Sequence, residues 1–309
     1  MKVLITGVAG FVGSNLAKAH LDAGDQVVGV DNFSTGSHRS LDALNSLELI
    51  ESGVSEAIAL LPADVQLVYH FASPASPEKY MADAMNTIEV NTGGTLSMLE
   101  YASRTGARLV FASTSEIYGD PLVSPQTEDY WGNVNPIGPR SVYDEAKRFG
   151  ETLVAYFQRE KRVNAGIIRI FNTYGPNMDP YDGRVVSTFI RQALRSEPFT
   201  IFGDGKQTRS FCYIDDLVEG IMAMGNSTQA GPINLGNPQE NTLLELAEMV
   251  TRIVGGSGEM SFLPLPEDDP KQRNPDITRA KTLLGWEPSV ALETGIEKTA
   301  SWMAKALSS

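Results

Sequence analysis

The sequence predicts an α/β fold, a doubly wound parallel sheet with a smaller C-terminal lobe. Three observations carry this. Short apolar runs, often β-branched, alternate with helical stretches through the first half of the chain. The first of these runs ends in a glycine-rich turn that opens a helix. The second half loses the alternation and breaks into loops rich in Gly, Pro and Asn.

Strands are expected at residues 2–6, 26–30, 47–50, 66–71, 108–112 and 165–170. Between them, helices are expected at 11–23, closed by Gly24, at 77–104 with an interruption at Gly93-Gly94, and at 141–162. In the second half, loops at 172–183, 203–205, 236–238 and 264–275 separate helices at 185–196, 215–224, 243–254 and 277–284. Two short strands fall at 199–202 and 233–235. Residues 1–170 then form a dinucleotide-binding domain that also receives residues 210–236, and residues 171–309 form mainly a substrate-binding lobe. The string Glu267-Asp268-Asp269 reads as a solvated loop.

Composition narrows the function. Of 309 residues, 42% are hydrophobic and 20% charged, which is ordinary globular protein and excludes disorder, collagen and coiled coil. Lys+Arg 25 against Asp+Glu 38 gives a net charge of −13, so nucleic acid and anionic membranes are not expected partners. An anionic substrate would need a local cluster of cations. A single Cys excludes an internal disulfide and suits a reducing compartment. Three scattered His residues leave little for a metal site, so no metal is expected. The apolar run at residues 3–5 is too short for a signal peptide core or a membrane span, and a cytoplasmic location is the expectation.

The first strand runs into Gly7-Val8-Ala9-Gly10-Phe11-Val12-Gly13. Glycines at such a turn let backbone N–H groups approach a pyrophosphate, and the helix N-terminus adds a favourable dipole. The spacing is G-x-x-G-x-x-G, and alone such a triplet is weak; its place between strand and helix strengthens it. Asp31 follows the second strand, where a carboxylate accepts ribose hydroxyls and repels a 2′-phosphate. Together they call for NAD, and no Arg follows Asp31 until Arg39.

Tyr143 and Lys147 stand four apart on an expected helix and share a face. A neighbouring ammonium and an oxidised nicotinamide would lower the phenol's pKa, and Tyr143 could then take a proton from a substrate hydroxyl. Ser113-Thr114-Ser115-Glu116 ends the fifth strand, on the crevice side of a parallel sheet. Its hydroxyls can hold a substrate hydroxyl against the tyrosine, and Glu116 is a second acid/base or an orienting group. Taken alone, a Ser/Thr cluster there is more often a cap or polar turn.

Taken together, Gly7 to Gly13, Asp31, Asn91, Thr114, Tyr143 and Lys147 resemble the extended short-chain dehydrogenase/reductase family, with its nucleotide-sugar epimerases, dehydratases and decarboxylases. The resemblance is closer to the UDP-glucuronate decarboxylases. It rests on HFASPASP (70–77), STSEIYGDP (113–121), EDYWGNVNPIGPR (128–140), RIFNTYGP (169–176) and DGRVVS (182–187). Further on come Gln207-Thr208-Arg209, NLGNP (234–238), Asp268-Asp269-Pro270 before Arg273, and LGWEP (284–288).

The resemblance implies a Rossmann-type fold, bound NAD and UDP-glucuronate as substrate. Oxidation at C4, loss of CO2 and re-reduction would give UDP-xylose. It implies Thr114, Glu116, Tyr143 and Lys147 as catalytic residues. Cofactor contacts would come from Gly7, Gly10, Phe11, Val12, Gly13, Asp31, Asn32, Ser34, Thr35, Ala112, Tyr143, Lys147, Thr173 and Arg184. Substrate contacts would come from Ser73, Thr114, Asn172, Arg209 near the sugar carboxylate or diphosphate, and Arg273 near the nucleotide. The long helices 77–104 and 141–162 would form a homodimer interface.

Ser115 stands where the 4,6-dehydratases of the family carry the Asp that protonates a departing hydroxyl, so dehydration lacks its acid. The 4-epimerases usually lack a Glu at the next place. Two alternatives remain: a UDP-sugar 4-epimerase, or release of the UDP-4-keto pentose. Gly53 and Glu89-Val90 depart from the family's usual Asp and Lys-Thr. His70, Cys212, Trp131, Trp286 and Trp302 are expected to be scaffold residues.

Overall fold

A computed structural model describes residues 1–265 and 272–308; the acidic string at 267–269 and the Asp268-Asp269-Pro270 motif lie outside them. Seven strands form the central sheet: β1 (Lys2–Thr6), β2 (Gln26–Asp31), β3 (Glu48–Glu51), β4 (Leu67–His70), β5 (Arg108–Thr114), β6 (Ala165–Ile170) and β7 (Ile233–Leu235). Their order is β7-β6-β5-β4-β1-β2-β3, and every neighbouring pair is parallel. The order reverses between β1 and β4, the place where a doubly wound sheet opens a ligand crevice at its carboxyl edge.

The larger helices are α1 (Phe11–Asp22), α2 (Thr95–Thr105), α3 (Ser141–Glu160), α4 (Val185–Leu194), α5 (Ile214–Gly225), α6 (Leu243–Val254) and α7 (Leu292–Ser308). Alternation along β1 divides the apolar interior. Val3 and Ile5 join Leu16 of α1 and Leu217 and Ile221 of α5, while Leu4 joins Met98 and Leu99 of α2 and Val154 and Phe157 of α3. Both faces of the strand are buried, which is why its sequence shows no polar alternation. Helix α3 lies close to β5 because residue 150 is glycine: a Cβ there would stand 2.4 Å from Cζ of Phe111.

Three features differ from expectation. The stretch 77–104 is not one helix. It breaks at Asp83 into Pro77–Ala82 and Ala84–Glu89, then widens into a π-helical turn at Val90–Gly94 before α2. Trp131 is 87% exposed, whereas Trp286 is buried and donates from Nε1 to Asp216 O at 2.8 Å. Helix α7 is absent from the expected elements. Its buried face runs through Leu292, Ile296, Thr299, Ala300 and Met303, a helical spacing broken in the sequence by Gly295. That glycine packs on Tyr174, whose hydroxyl would lie 2.0 Å from an added Cβ.

Asp216 holds the entry to α7. Its Oδ1 accepts from Ser289 N at 3.0 Å and Ser289 Oγ at 3.1 Å, and its Oδ2 from Val290 N at 3.0 Å. Asp216→Ala should therefore leave two part-buried N–H donors and the Ser289 hydroxyl without this partner and cost roughly 1–2 kcal/mol. Thermal denaturation checks this; an unchanged Tm would refute the anchoring role.

Candidate active site

A cavity of about 500 Å3 opens where the strand order reverses. That volume lies in the range of small-molecule and cofactor sites. Gly7, Gly10, Phe11, Val12 and Gly13 line its floor. Asp31, Asn32, Ser34 and Thr35 line one end, and Ser73 and Arg184 line it further along.

The glycine turn is as tight as the sequence suggests. Gly7 has φ +74°, and a Cβ on it would meet the Ala72 backbone at 2.8 Å. A Cβ on Gly13 would lie 2.0 Å from Gly7 O. The first turn of α1 carries no acidic residue, so its N–H groups and dipole face the cavity without a competing anion. Asp31 is buried, and its two oxygens accept from Ala9 N and Phe33 N, each at 2.8 Å. Burial raises its carboxyl pKa against those two bonds. Carboxylate oxygens retain lone pairs beyond one bond each, so Asp31 still accepts from a ribose. These residues fit NAD.

The far wall comes from α7, through Trp302, Ala306 and Leu307. Arg39 also lines the cavity, and its NH1 donates to Ala306 O at 3.1 Å. Sequence reasoning missed this wall with the helix that supplies it. Asn91, in the π-helical turn, is buried and donates to Ser73 Oγ at 2.8 Å and Thr87 O at 2.8 Å. The widened turn thus fixes a cavity-lining serine, a common use of such bulges.

Thr114, Tyr143 and Lys147 come together at the end of β5. All three are buried, and the Thr114 hydroxyl, near the Tyr143 phenol, works to lower its pKa. Lys147 Nζ donates to Ala112 O at 2.8 Å and lies 5.9 Å from the Tyr143 ring centre. Tyr143 stacks flat on Tyr80 with centres 4.8 Å apart. Burial pulls the Lys147 ammonium down to about 7. Burial also pushes the Tyr143 phenol above its ordinary value, against the effect of Thr114. The chain alone therefore does not favour the phenolate, contrary to the expectation that Lys147 would lower its pKa. His70 is buried and neutral: burial brings it to about 3, and its ring nitrogens pair with Thr6 Oγ1 at 2.8 Å and Thr95 Oγ1 at 3.1 Å.

Glu116 lies between two guanidiniums. Arg140 NH2 donates to Oε2 at 2.7 Å, Arg273 NH1 contacts Oε1 at 2.6 Å, and Arg273 NH2 donates to Oε2 at 3.1 Å. Burial alone would raise its pKa, but Arg273 and Arg140 outweigh that and hold the carboxyl at about 2. Arg273 NH1 also donates to Ser115 Oγ at 3.1 Å. Arg273, expected near the nucleotide, is therefore bonded to the residues that follow Thr114. Arg209 is its register partner in a small sheet of Glu240–Thr242, Thr208–Ser210 and Gln272–Arg273.

Of the other expected contacts, Thr173 is buried and donates from Oγ1 to Phe171 O at 2.9 Å, and Asn172 O accepts from Cys212 N at 2.9 Å. Arg184 is clamped by Asp182, NH2 donating to Oδ2 at 3.0 Å. Sequence reasoning also missed Arg140 and Asp144. Both lie inside the strings 128–140 and 143–147, but nothing local marks them as facing Glu116. Among the described residues, no cluster of His, Cys, Asp or Glu could hold a metal, and no helix is long and apolar enough to cross a membrane.

Comparison with known proteins agrees with this geometry. The model of the NAD dependent epimerase/dehydratase family matches residues 3–236. UDP-glucuronic acid decarboxylase 1 of Xenopus tropicalis is 50% identical over 309 residues, covering 99% of this chain and 73% of that protein. UDP-glucuronic acid decarboxylase 4 of Arabidopsis thaliana is 52% identical over 299 residues, covering 96% and 67%. Among solved structures, a UDP-glucuronic acid 4-epimerase from Bacillus cereus, bound to UDP-4-deoxy-4-fluoro-glucuronic acid and NAD, superposes with a TM-score of 0.89 at 31% identity. It covers 99% of this chain and all of that one.

Two outcomes test the site. Gly13→Ala drives a methyl into Gly7 O and should abolish NAD binding, measured as cofactor content of the purified protein and by titration with NAD; normal content would refute the glycine turn as the pyrophosphate seat. Glu116→Gln removes the carboxylate that Arg140 and Arg273 share and should destabilise the protein by roughly 1–3 kcal/mol in denaturant unfolding. A neutral result would mean the two guanidiniums do not need it.

Proposed function

The chain belongs to the NAD dependent epimerase/dehydratase family, and we propose that within it the chain decarboxylates UDP-glucuronate to UDP-xylose. The observation that carries this is identity of 50–52% over nearly the whole chain with UDP-glucuronic acid decarboxylases, against 31% for a 4-epimerase of matching fold. The site agrees. Ser115 offers no acid for dehydration, and Arg273 brings a cation beside Thr114 for an anionic sugar.

Bound NAD+ would be held by Gly7 to Gly13, Asp31, Asn32, Ser34, Thr35 and Arg184, with Lys147, Tyr143, Ala112 and Thr173 at its reactive end. When bound it brings a cationic ring and accepts, then returns, the hydride of C4. Thr114 holds the C4 hydroxyl. Tyr143 takes its proton, with Lys147 and that ring favouring the phenolate that burial disfavours. Once C4 is a ketone, the C6 carboxylate is β to it. The C5–C6 bond breaks, CO2 leaves, and the electron pair rests on the C4 oxygen as an enolate. C5 takes a proton, and Tyr143 returns its own to the C4 oxygen. Glu116, ionised between two arginines, orients Arg273 and Ser115 and is not a proton donor in this scheme. Ser73, Asn172 and Arg209 bind the sugar and diphosphate. The cofactor unit spans residues 1–170 with 210–236, and the rest of 171–309 supplies mainly substrate contacts.

We further propose a cytoplasmic homodimer. Met81 and Met85 from the 77–89 segment and Phe149 and Tyr156 from α3 are exposed apolar side chains on packed helices, and covering them with a second copy buries that surface.

Proton NMR of UDP-glucuronate with the protein and NAD+ in D2O tests the reaction. UDP-xylose carrying deuterium at C5 is the expected product; UDP-galacturonate would make the chain an epimerase. Tyr143→Phe should lower kcat by roughly 10²–10⁴-fold while the protein stays folded and retains NAD, since the ring still stacks on Tyr80. Undiminished turnover would remove Tyr143 from the mechanism.

A further inference from the structure

Each turnover of the proposed decarboxylation consumes one proton that no residue of the scheme supplies. The carboxylate leaves C5 as CO2, and C5 gains a hydrogen. The proton that Tyr143 takes from the C4 hydroxyl goes back to the C4 oxygen, so the one for C5 comes from solvent. Glu116 does not carry it, because Arg140 and Arg273 keep it ionised.

A second cavity, of about 290 Å3, reaches that ion pair from outside the cofactor cavity. Its lining includes Asp120, Asn133, Asn135, Arg140 and Asp144. Arg140 is therefore shared: it faces the second cavity and bonds Glu116 at 2.7 Å. Asp144 follows Tyr143 in α3 and is 5% exposed, yet its buried Oδ1 has no hydrogen-bond partner in the protein. An unpaired buried carboxyl oxygen beside a polar cavity of this size is a place for water.

The charged and titratable groups around Asp144 come from every side. Glu116 lies in the turn after β5, Arg140 and Glu145 flank Asp144 along the chain, Arg273 comes from the small sheet, and Tyr80 from the helix Pro77–Ala82. Burial and the Glu116 charge hold the Asp144 carboxyl up at about 8, against Arg140 and Arg273. It is thus the carboxyl of this cluster that keeps a proton at neutral pH.

Resting on the decarboxylase reading, we propose that Asp144 and the cavity beside it relay the solvent proton that replaces the carboxylate on C5. Asp144 does not touch the substrate. It hands a proton inward through water past Arg140 and Glu116 and is recharged from the cavity.

Asp144→Asn preserves size and polarity but cannot titrate. With UDP-glucuronate as substrate, UDP-xylose formation should fall by at least roughly ten-fold, with KM changed less than about two-fold. The UDP-4-keto pentose already carries the C5 proton, so its share should not rise; the fall of kcat on the basic side near pH 8 should instead disappear. Asp144→Glu should restore most of the rate. A wild-type rate in Asp144→Asn would overturn the relay. So would a slow variant with an unchanged pH profile, which marks a structural role. If the parent protein makes no UDP-xylose, the functional reading fails and the relay with it, a result seen before any variant is compared.

Discussion

Glu116 between Arg140 and Arg273 is the contact on which the site depends. The chain carries a net charge of −13, so an anionic substrate must be met by cations concentrated in one place. Two guanidiniums that close would repel each other and pay the cost of leaving water. One carboxylate with four oxygen lone-pair positions offsets both. The contact also ties distant segments together, since Glu116 follows β5 and Arg273 belongs to the small sheet of Glu240–Thr242, Thr208–Ser210 and Gln272–Arg273.

The second constraint is depth. Gly150 lets α3 settle against Phe111, and this buries Tyr143 and Lys147 at the strand end. Burial then works against both charges: the ammonium falls to about 7 and the phenol rises. A phenol that stays protonated until a cation arrives does not remove protons from whatever hydroxyl happens to enter. In the proposed mechanism, chemistry is thereby coupled to the binding of the cofactor by electrostatics.

Most of the fold was legible because its signals are local. Buried parallel strands are apolar on both faces, glycines mark the tight turn, and a Tyr/Lys pair four apart on a helix shares a face whatever surrounds it. The resemblance named the remaining expected site residues through long strings, not through spacing. What stayed hidden depends on distant partners. Arg140 and Asp144 look like ordinary helix-entry residues until Glu116 is folded against them. Arg273 bonds Ser115 at a sequence separation of 158, which no periodicity encodes. Helix α7 was obscured by Gly295, whose reason for being glycine is Tyr174, more than a hundred residues away. The direction of the Tyr143 shift was equally hidden, because burial is a property of the packed molecule.

The same packing explains why the acid and base roles separate as they do. Glu116, Tyr143 and Asp144 lie within one cluster, and each has a different neighbour deciding its charge. Glu116 faces two cations and is ionised. Tyr143 faces a hydroxyl and apolar walls and is neutral. Asp144 faces Glu116 across Arg140, so the charge fixed on one carboxyl is what keeps the proton on the other. Moving Glu116 out of the ion pair would therefore do more than loosen that contact: it would release the electrostatic pressure on Asp144 and change which group holds a proton at neutral pH. The ion pair, the buried base and the orphaned carboxyl are one electrostatic unit, and the order in which protons move through it is set by which member is closest to a cation.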